Sequence, residues 1–188
     1  MALQKGIDKW KTKRWFIVYA PKAFDEQKIC EIPAADEKSV MGRKIKVSLD
    51  HLTHNVQHSA TNVTVKITDV NGDAAHTELV MMEEVYSYIR SLVRRYRSIS
   101  SAVVPAIAKD RVPVVLKAIA ITRSRVTASR LKEIRKRMED TLKGFTAEND
   151  ANSIIKSVID GKLQADIYSK ASSVTPMSKV EIKKLEVG

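Results

Sequence analysis

The stretch VTVKITDVNGDAAHTELVM, at residues 63–81, decides the fold of this chain. Apolar and polar residues alternate over 63–68, which is the pattern of a strand with one buried face. Asn71 and Gly72 follow, and this pair is the strongest short signal for a hairpin because both turn positions require positive φ. A return strand at 76–81 completes a predicted antiparallel hairpin, against which further strands can pair.

Strand patterns recur on both sides of this hairpin. Residues 44–49 alternate strictly, with Ile45, Val47 and Leu49 on one face and basic or polar residues on the other. Other short runs rich in β-branched and aromatic residues lie at 15–19, 28–32, 103–108, 112–122 and 180–187. Most of these runs are close in sequence, which favours antiparallel pairing.

Apolar residues recur at helical spacing in four segments. The first predicted helix lies at 83–97, with Val85, Ile89 and Tyr96 on its apolar face, and the second lies at 127–143 and is ended by Gly144. The third lies between Asp150, its N-cap, and Gly161, which ends it, and the fourth lies at 163–172. The sequence therefore predicts an α+β fold. A β-barrel-like or strongly curled, mostly antiparallel sheet of about seven strands would be flanked by about four helices.

The length of 188 residues fits one domain. We expect a basic N-terminal arm at 1–14 and a single globular domain at 15–188, because no repeat, linker or break in composition divides the chain. Cys30 is the only cysteine, which suits a reducing compartment. No apolar stretch approaches the roughly 18 residues of a membrane span. The cytoplasm is therefore the expected location, and no membrane partner is expected.

The charge balance is the strongest functional indication. Lys and Arg number 33 against 22 Asp and Glu, for a net charge of +11. Such an excess repels itself unless a polyanion neutralises it, so a nucleic acid is the leading partner class. The alternative is a basic protein whose charges are merely solvated. The residues predicted to bind RNA are Lys9, Trp10, Lys11, Lys13, Arg14, Arg90, Arg94, Arg97, Arg123, Arg125, Arg130, Lys132, Arg135, Lys136 and Arg137.

The mode of binding follows from the residue types. Arginine suits bidentate contacts with phosphate, and aromatic residues are only 5% of the chain, so contacts to the RNA backbone are expected to dominate. Two tryptophans stand among the N-terminal charges. Trp10 is a candidate for stacking on an unpaired base or for packing in the core, whereas Trp15 is expected in the core.

The sequence contains no pattern that predicts catalysis. Phosphate-binding glycine loops, a Gly-x-Ser-x-Gly elbow and a Cys-x-x-Cys pair are all absent. His51, His54 and His58 would share one face of a helix, where three imidazoles could hold zinc. The alternative is a polar loop with exposed histidines, which the neighbouring Asn and Ser residues favour. We therefore expect no catalytic residue, no bound metal and no cofactor.

Four ordered pieces of the sequence form a further pattern. They are KWKTKRWFIVYAP at 9–21 with Phe24, VSLDHLT at 47–53, LKEIRKRM at 131–138 and VEIKK at 180–184. Together they resemble the three-Ae family of small-subunit ribosomal proteins, found in archaea and eukaryotes. The resemblance implies a β-barrel-like core with helices around it, contacts with small-subunit ribosomal RNA and neighbouring ribosomal proteins, and no catalytic residues.

The resemblance also implies a place on the platform of the small subunit near the messenger exit, with mRNA as a further partner. The long C-terminal extension of eukaryotic members is not matched, so an archaeal-type member is expected. The predicted function is a structural constituent of the small ribosomal subunit that binds rRNA by basic surfaces. A free-standing, translation-associated RNA-binding factor stays open as the alternative, because the same charge serves both.

Overall fold

A computed structural model of the chain describes residue 10 and residues 13–188. Over this part, the strands are β1 (Arg14–Tyr19), β2 (Lys28–Ala34), β3 (Lys44–Ser48), β4 (Thr61–Asn71), β5 (Ala74–Glu84), β6 (Ile99–Ile107), β7 (Pro113–Thr122) and β8 (Met177–Val187). The helices are α1 (Glu37–Val40), α2 (Leu49–Thr53), α3 (Tyr86–Leu92), α4 (Ala128–Glu148), α5 (Ala151–Ile159) and α6 (Lys162–Ser172). The α+β class is confirmed.

All eight strands belong to one sheet. Its main path runs β2-β1-β5-β8-β7-β6, while β4 pairs with β5 and β3 pairs with β4. The pairs are antiparallel except for β1 and β5, where Ile17 lies opposite Ala74. The predicted hairpin is confirmed, because Asn71 pairs with Ala74 across a turn in which Gly72 has a φ of 62°.

Strand β5 is the branch point of the sheet. It pairs with β4 along almost its whole length, and it also pairs with β1 near Ala75 and with β8 near Met82. The ends of the sheet at β2, β3 and β6 do not pair with one another over the described residues. The mostly antiparallel pairing agrees with the prediction, but the barrel-like closure is not confirmed. The helices exceed the expected four because α1 and α2 are single turns, too short to show a period.

The main core lies between the sheet and helices α4, α5 and α6. Leu116 of β7, Ile134 and Met138 of α4, and Leu163 and Ile167 of α6 are fully buried in it. Helix α4 packs against β6 and α6, and α6 also contacts β8. A smaller second cluster holds the other end of the sheet and includes Phe16, Val18, Val40 and Ile67.

Helix α4 continues past Gly144, so the prediction that this glycine ends it was wrong. Phe145 packs against the core and Thr146 is buried, with its hydroxyl donating to the carbonyl of Leu142 at 2.9 Å. These contacts outweigh the roughly 1 kcal/mol by which glycine disfavours a helix interior. No helix in the described part of the chain combines the length and apolar character needed to cross a membrane.

The helix predicted at 83–97 is also corrected. Strand β5 runs on to Glu84, which pairs with Thr61, so α3 begins only at Tyr86. The helix ends at Leu92, and Val93 is extended, with φ −84° and ψ 113°. An extended chain is needed there because the backbone must reach Ile99, which pairs with Ile121 at the start of β6.

Candidate nucleic-acid interface

The N-terminal group of candidates lies at the start of β1. Lys9 and Lys11 fall outside the described residues. Trp10 is exposed, and the ammonium of Lys13 lies 4.0 Å from its ring centroid, a cation–π contact. Arg14 is exposed and is the first residue of β1, with its guanidinium 5.7 Å from the ring of Phe16. The division into an arm and a domain at residue 14 stays a prediction.

Trp15 was predicted in the core, and that prediction was wrong. Its side chain is 58% exposed, while Phe16 and Val18 are fully buried. The reason is the two-residue period of a strand, which directs Phe16 and Val18 into the core and Trp15 to the opposite face. The N-terminal group therefore presents two exposed indoles among its positive charges.

A second group of candidates lies where β6 begins, β7 ends and β8 begins. The hydroxyl of Thr122 accepts a hydrogen bond from the Ser98 amide at 2.9 Å and donates to the Ser98 carbonyl at 3.0 Å. The amide of Val126 donates to the Ser98 hydroxyl at 3.2 Å. These bonds hold segment 93–98 beside segment 123–127.

We call Arg94, Arg95, Arg97, Arg123 and Arg125 the arginine cluster. The two segments that carry it contain no acidic residue. Four of the guanidinium side chains are exposed, and Arg97 is half-buried and donates to the Ser178 hydroxyl at 2.9 Å. Within the described part of the chain, none of the five forms an ion pair with a carboxylate.

Two residues of this region were missed by sequence reasoning. Arg95 was not named, and Tyr96 was assigned to the buried face of a helix. In the structure Tyr96 is 82% exposed and has a φ of 63°. The run Arg-Arg-Tyr-Arg at 94–97 was the available signal, because an aromatic between arginines is unusual for a helix face that packs in a core.

On a helix running over 83–97, Arg90, Arg94 and Arg97 would share one face, but the structure does not align them in this way. Arg90 is exposed in α3, with its guanidinium 5.7 Å from the ring of Tyr86. Arg94 and Arg97 lie beyond the end of α3. The bonds of Ser98 nevertheless place the segment that carries Arg94 and Arg97 beside the segment that carries Arg123 and Arg125, which sequence periodicity could not show.

Helix α4 carries the third group. Arg130, Lys132, Arg135 and Lys136 are exposed, and none of them pairs with a carboxylate of the described residues. We call these four the α4 basic face. Arg137 differs, because it donates to Glu133 at 2.8 Å and also contacts the Ser173 hydroxyl. Its guanidinium is therefore engaged within the protein, although its role in RNA binding stays a prediction.

The first turns of α4 have an unusual charge. No acidic residue lies in the first turn, and the N-cap residue Thr127 makes no capping hydrogen bond with its side chain. Arg130 and Lys132 instead place positive charge at the end where the helix dipole is already positive. Unbonded amides and cations together attract an anion such as phosphate.

A partly buried acidic group lies at the end of β5, beside Glu181 and Lys179 of β8. Burial, then the nearby charge and hydrogen bond of Glu181, raise the pKa of Glu84 to about 8. Glu181 also accepts from the Tyr88 hydroxyl at 3.1 Å and pairs with the Lys179 ammonium at 2.7 Å. Lys179 also contacts the Tyr88 hydroxyl. These contacts fasten α3 to β8 beside a cavity of about 280 Å³.

The three histidines do not form a shared face. His51 lies in α2, His54 follows the helix with a left-handed φ of 52°, and His58 lies in a 3₁₀ turn. The five-residue length of α2 breaks the i, i+3, i+7 alignment. Over the described residues, no group of three or more His, Cys, Asp or Glu side chains is arranged to hold a metal ion.

Comparison with known proteins gives one consistent result. Residues 2–188 match the model of the Ribosomal S3Ae family. The small ribosomal subunit protein eS1 of Haloarcula marismortui is 36% identical over 172 residues, which are 92% of this chain and 81% of that protein. The eS1 protein of Methanothrix thermoacetophila is 35% identical over 184 residues, covering 98% of this chain and 87% of the relative. That of Pyrobaculum islandicum is 34% identical over 180 residues, covering 96% and 81%.

Proposed function

This chain belongs to the Ribosomal S3Ae family, and from that premise we propose that it is a structural constituent of the small ribosomal subunit that binds rRNA. The relatives that support the proposal are archaeal proteins named as small ribosomal subunit protein eS1. The family is one of structural ribosomal components rather than enzymes. The proposal therefore assigns binding to the basic surfaces and no chemical step.

The observation that carries the rRNA proposal is the arginine cluster. Two loop segments come together and present arginines that are 26 to 31 residues apart in sequence, without a compensating acid. Unpaired cations at this density repel one another, and phosphate groups relieve that repulsion while accepting bidentate hydrogen bonds. The α4 basic face and the uncapped start of α4 extend the same positive surface.

The N-terminal group supports a second contact region. On the main strand path, β1 is separated from β7 by β5 and β8, so Lys13 and Arg14 are not part of the arginine cluster. A protein with two positive regions on different parts of one sheet suits an RNA that folds around it. Such an arrangement favours recognition of RNA shape over recognition of a short sequence.

Contacts with neighbouring ribosomal proteins have separate support. The outer face of β6 exposes Ile99, Val103 and Ile107, which lie on the same side of this strand at the end of the sheet path. Exposed apolar side chains in a row are typical of protein–protein contact sites. We place the protein on the platform of the small subunit near the messenger exit, in the cytoplasm, with mRNA as a further partner, because the family resemblance implies that location.

Salt dependence of rRNA binding tests the proposal. The variant in which Arg94, Arg95, Arg123 and Arg125 are all changed to alanine should bind archaeal small-subunit rRNA at least about ten-fold more weakly. Its plot of log K against log salt should flatten by up to about three units, because each lost phosphate contact removes about 0.7–0.9 from the slope. Fluorescence anisotropy over a salt series measures both quantities.

A matched control has the same change in charge elsewhere on the surface. Lys38, Lys44, Lys66 and Lys156 are exposed and make no ion pair with a described carboxylate, and all four become alanine in the control. The control should keep most of the affinity for rRNA and most of the slope of log K against log salt. Equal losses in both variants would mean that net charge alone matters and would contradict the assignment to the arginine cluster.

Sedimentation distinguishes the ribosomal function from a free RNA-binding factor. A tagged chain expressed in an archaeal host should travel with small subunits through a sucrose gradient and stay bound at moderate salt. A protein found mainly at the top of the gradient would favour the free factor.

A further inference from the structure

Tyr96 combines an unfavourable backbone conformation with an exposed side chain. Its φ of 63° lies in the left-handed region, which a bulky residue with a β-carbon rarely adopts. The ring is 82% exposed. Burial of the side chain therefore does not compensate for the unfavourable backbone, and the fold itself gains little from an aromatic residue at this position.

The loop around Tyr96 is fixed on both sides. The Arg97 amide donates to the Arg94 carbonyl at 3.3 Å, which closes the turn that carries the tyrosine. The Arg97 guanidinium reaches Ser178 of β8, and Ser98 is bonded to Thr122 of β7. The ring is thus presented from a rigid support, so little side-chain or loop ordering is required when a partner binds.

The residues around the Tyr96 ring indicate which kind of partner would bind there. Arg94, Arg95 and Arg97 flank Tyr96 in sequence, and Arg123 and Arg125 lie on the neighbouring segment. In the described part of the chain, no cation is positioned over the Tyr96 ring, unlike the rings of Trp10, Phe16, Tyr86 and Tyr88. A flat ring without a covering group, bordered by cations, fits a partner that combines a planar base with phosphates on both sides.

We propose that Tyr96 stacks on an unpaired RNA base whose flanking phosphates are bound by the arginine cluster. This inference rests on the proposed rRNA-binding function and specifies the RNA structure that is bound. A base inside a duplex already stacks on its neighbours and offers no free face, whereas a loop or bulge presents one. The partner is therefore single-stranded or irregular RNA at this surface.

The test compares two RNA probes of similar length and three variants. The probes are a single-stranded RNA of about 12 nucleotides and a blunt RNA duplex of about 12 base pairs, both followed by fluorescence anisotropy. Tyr96→Ala should weaken binding of the single strand by about 5- to 100-fold, the range found when a stacking aromatic is removed. Binding of the duplex should change less than about two-fold, and the salt slope should be preserved.

Two controls separate stacking from other effects. Tyr96→Phe keeps the ring and should bind the single strand as the parent protein does. Tyr86→Ala removes another exposed tyrosine, 65% exposed on α3, and should leave binding of both probes unchanged. Thermal unfolding of each variant checks that the fold is intact. We expect it to be, because removal of an exposed side chain leaves no cavity.

Each outcome has a defined meaning. Unchanged single-strand binding by Tyr96→Ala overturns the stacking inference while leaving rRNA binding in place. A parent protein that binds neither probe nor rRNA overturns the proposed function as well. If Tyr96→Ala weakens the duplex as much as the single strand, the ring only positions the arginines and the inference is also wrong.

Discussion

Glu84 is an acid whose protonation differs between the folded and the unfolded chain. Its ordinary pKa is 4.5, and burial beside Glu181 raises it to about 8 in the folded protein. Between these two values the folded state holds a proton that the unfolded state releases. The stability linked to this proton is therefore fully present below about pH 4.5 and is lost as the pH rises through 8.

Glu84→Gln should remove that pH dependence. Glutamine has the same shape and can still donate to Glu181, but it has no charge to bury at high pH. As the pH rises from 5 to 9, we expect the stability of the variant relative to the parent protein to increase by on the order of 4 kcal/mol. Urea denaturation at both pH values measures the difference. Glu83→Gln on the same strand is the control, and a parallel gain there would contradict the role of Glu84.

Tyr96 and Trp15 show what sequence could not reveal at this scale. Tyr96 was predicted on the apolar face of a helix because of its spacing, and Trp15 was expected in the core. Trp15 faces outward only because β1 starts in a register that buries Phe16, and Tyr96 faces outward because α3 stops four residues earlier. Each outcome depends on a strand register or a helix end, which one chain's local pattern does not determine.

At the scale of elements, α5 begins with a cap from outside its own segment. Asp150 occupies the N-cap position, as the sequence predicted, but its side chain makes no capping hydrogen bond. The Oδ2 atom of Asp110, in the loop between β6 and β7, instead accepts from the Ala151 amide at 3.2 Å. A capping residue 41 positions before the first residue of the helix is not visible in a sequence window.

The two aspartates can be separated by mutation. Asp110→Ala should lower the free energy of unfolding by about 1 kcal/mol, because it removes both the hydrogen bond and a negative charge at the positive end of α5. Asp150→Ala should have a smaller effect, since only the charge is lost. Urea denaturation compares the two variants, and a larger loss for Asp150→Ala would show that the local residue is the true cap.

The strands and the last three helices were predictable because their periods are long and regular. The alternation at 44–49 predicts β3, in which Ile45 and Val47 are half-buried, and Ile134, Met138 and Leu142, which recur at helical spacing, are buried on α4. The order in which strands pair could not be predicted, because β5 contacts strands from both ends of the chain. The residues of the α4 basic face lie on one helix and could be named from sequence. The arginine cluster joins two segments that are distant in sequence, so its surface could not be predicted.

For the whole molecule, net positive charge makes stability depend on the anion present. The charge of +11 repels itself in the free protein. Sulfate or phosphate should raise the melting temperature by several degrees more than chloride at equal ionic strength, because a bound anion stabilises the folded state. Changing Arg94, Arg95, Arg123 and Arg125 to alanine should remove most of this difference. A scanning calorimetry series in which both proteins respond alike to every anion would contradict anion binding at the cluster.

The bond between Arg97 and Ser178 ties the loop of the arginine cluster to β8, which follows the other seven strands in chain order. Strand β8 lies between β5 and β7, so the sheet around it is incomplete until its residues have left the exit tunnel of the translating ribosome. A growing chain thus has its arginines long before it has a rigid support for them. We therefore expect a chain cut before β8 to bind RNA more weakly than one that includes it, because the arginines would lack the strand that supports their loop.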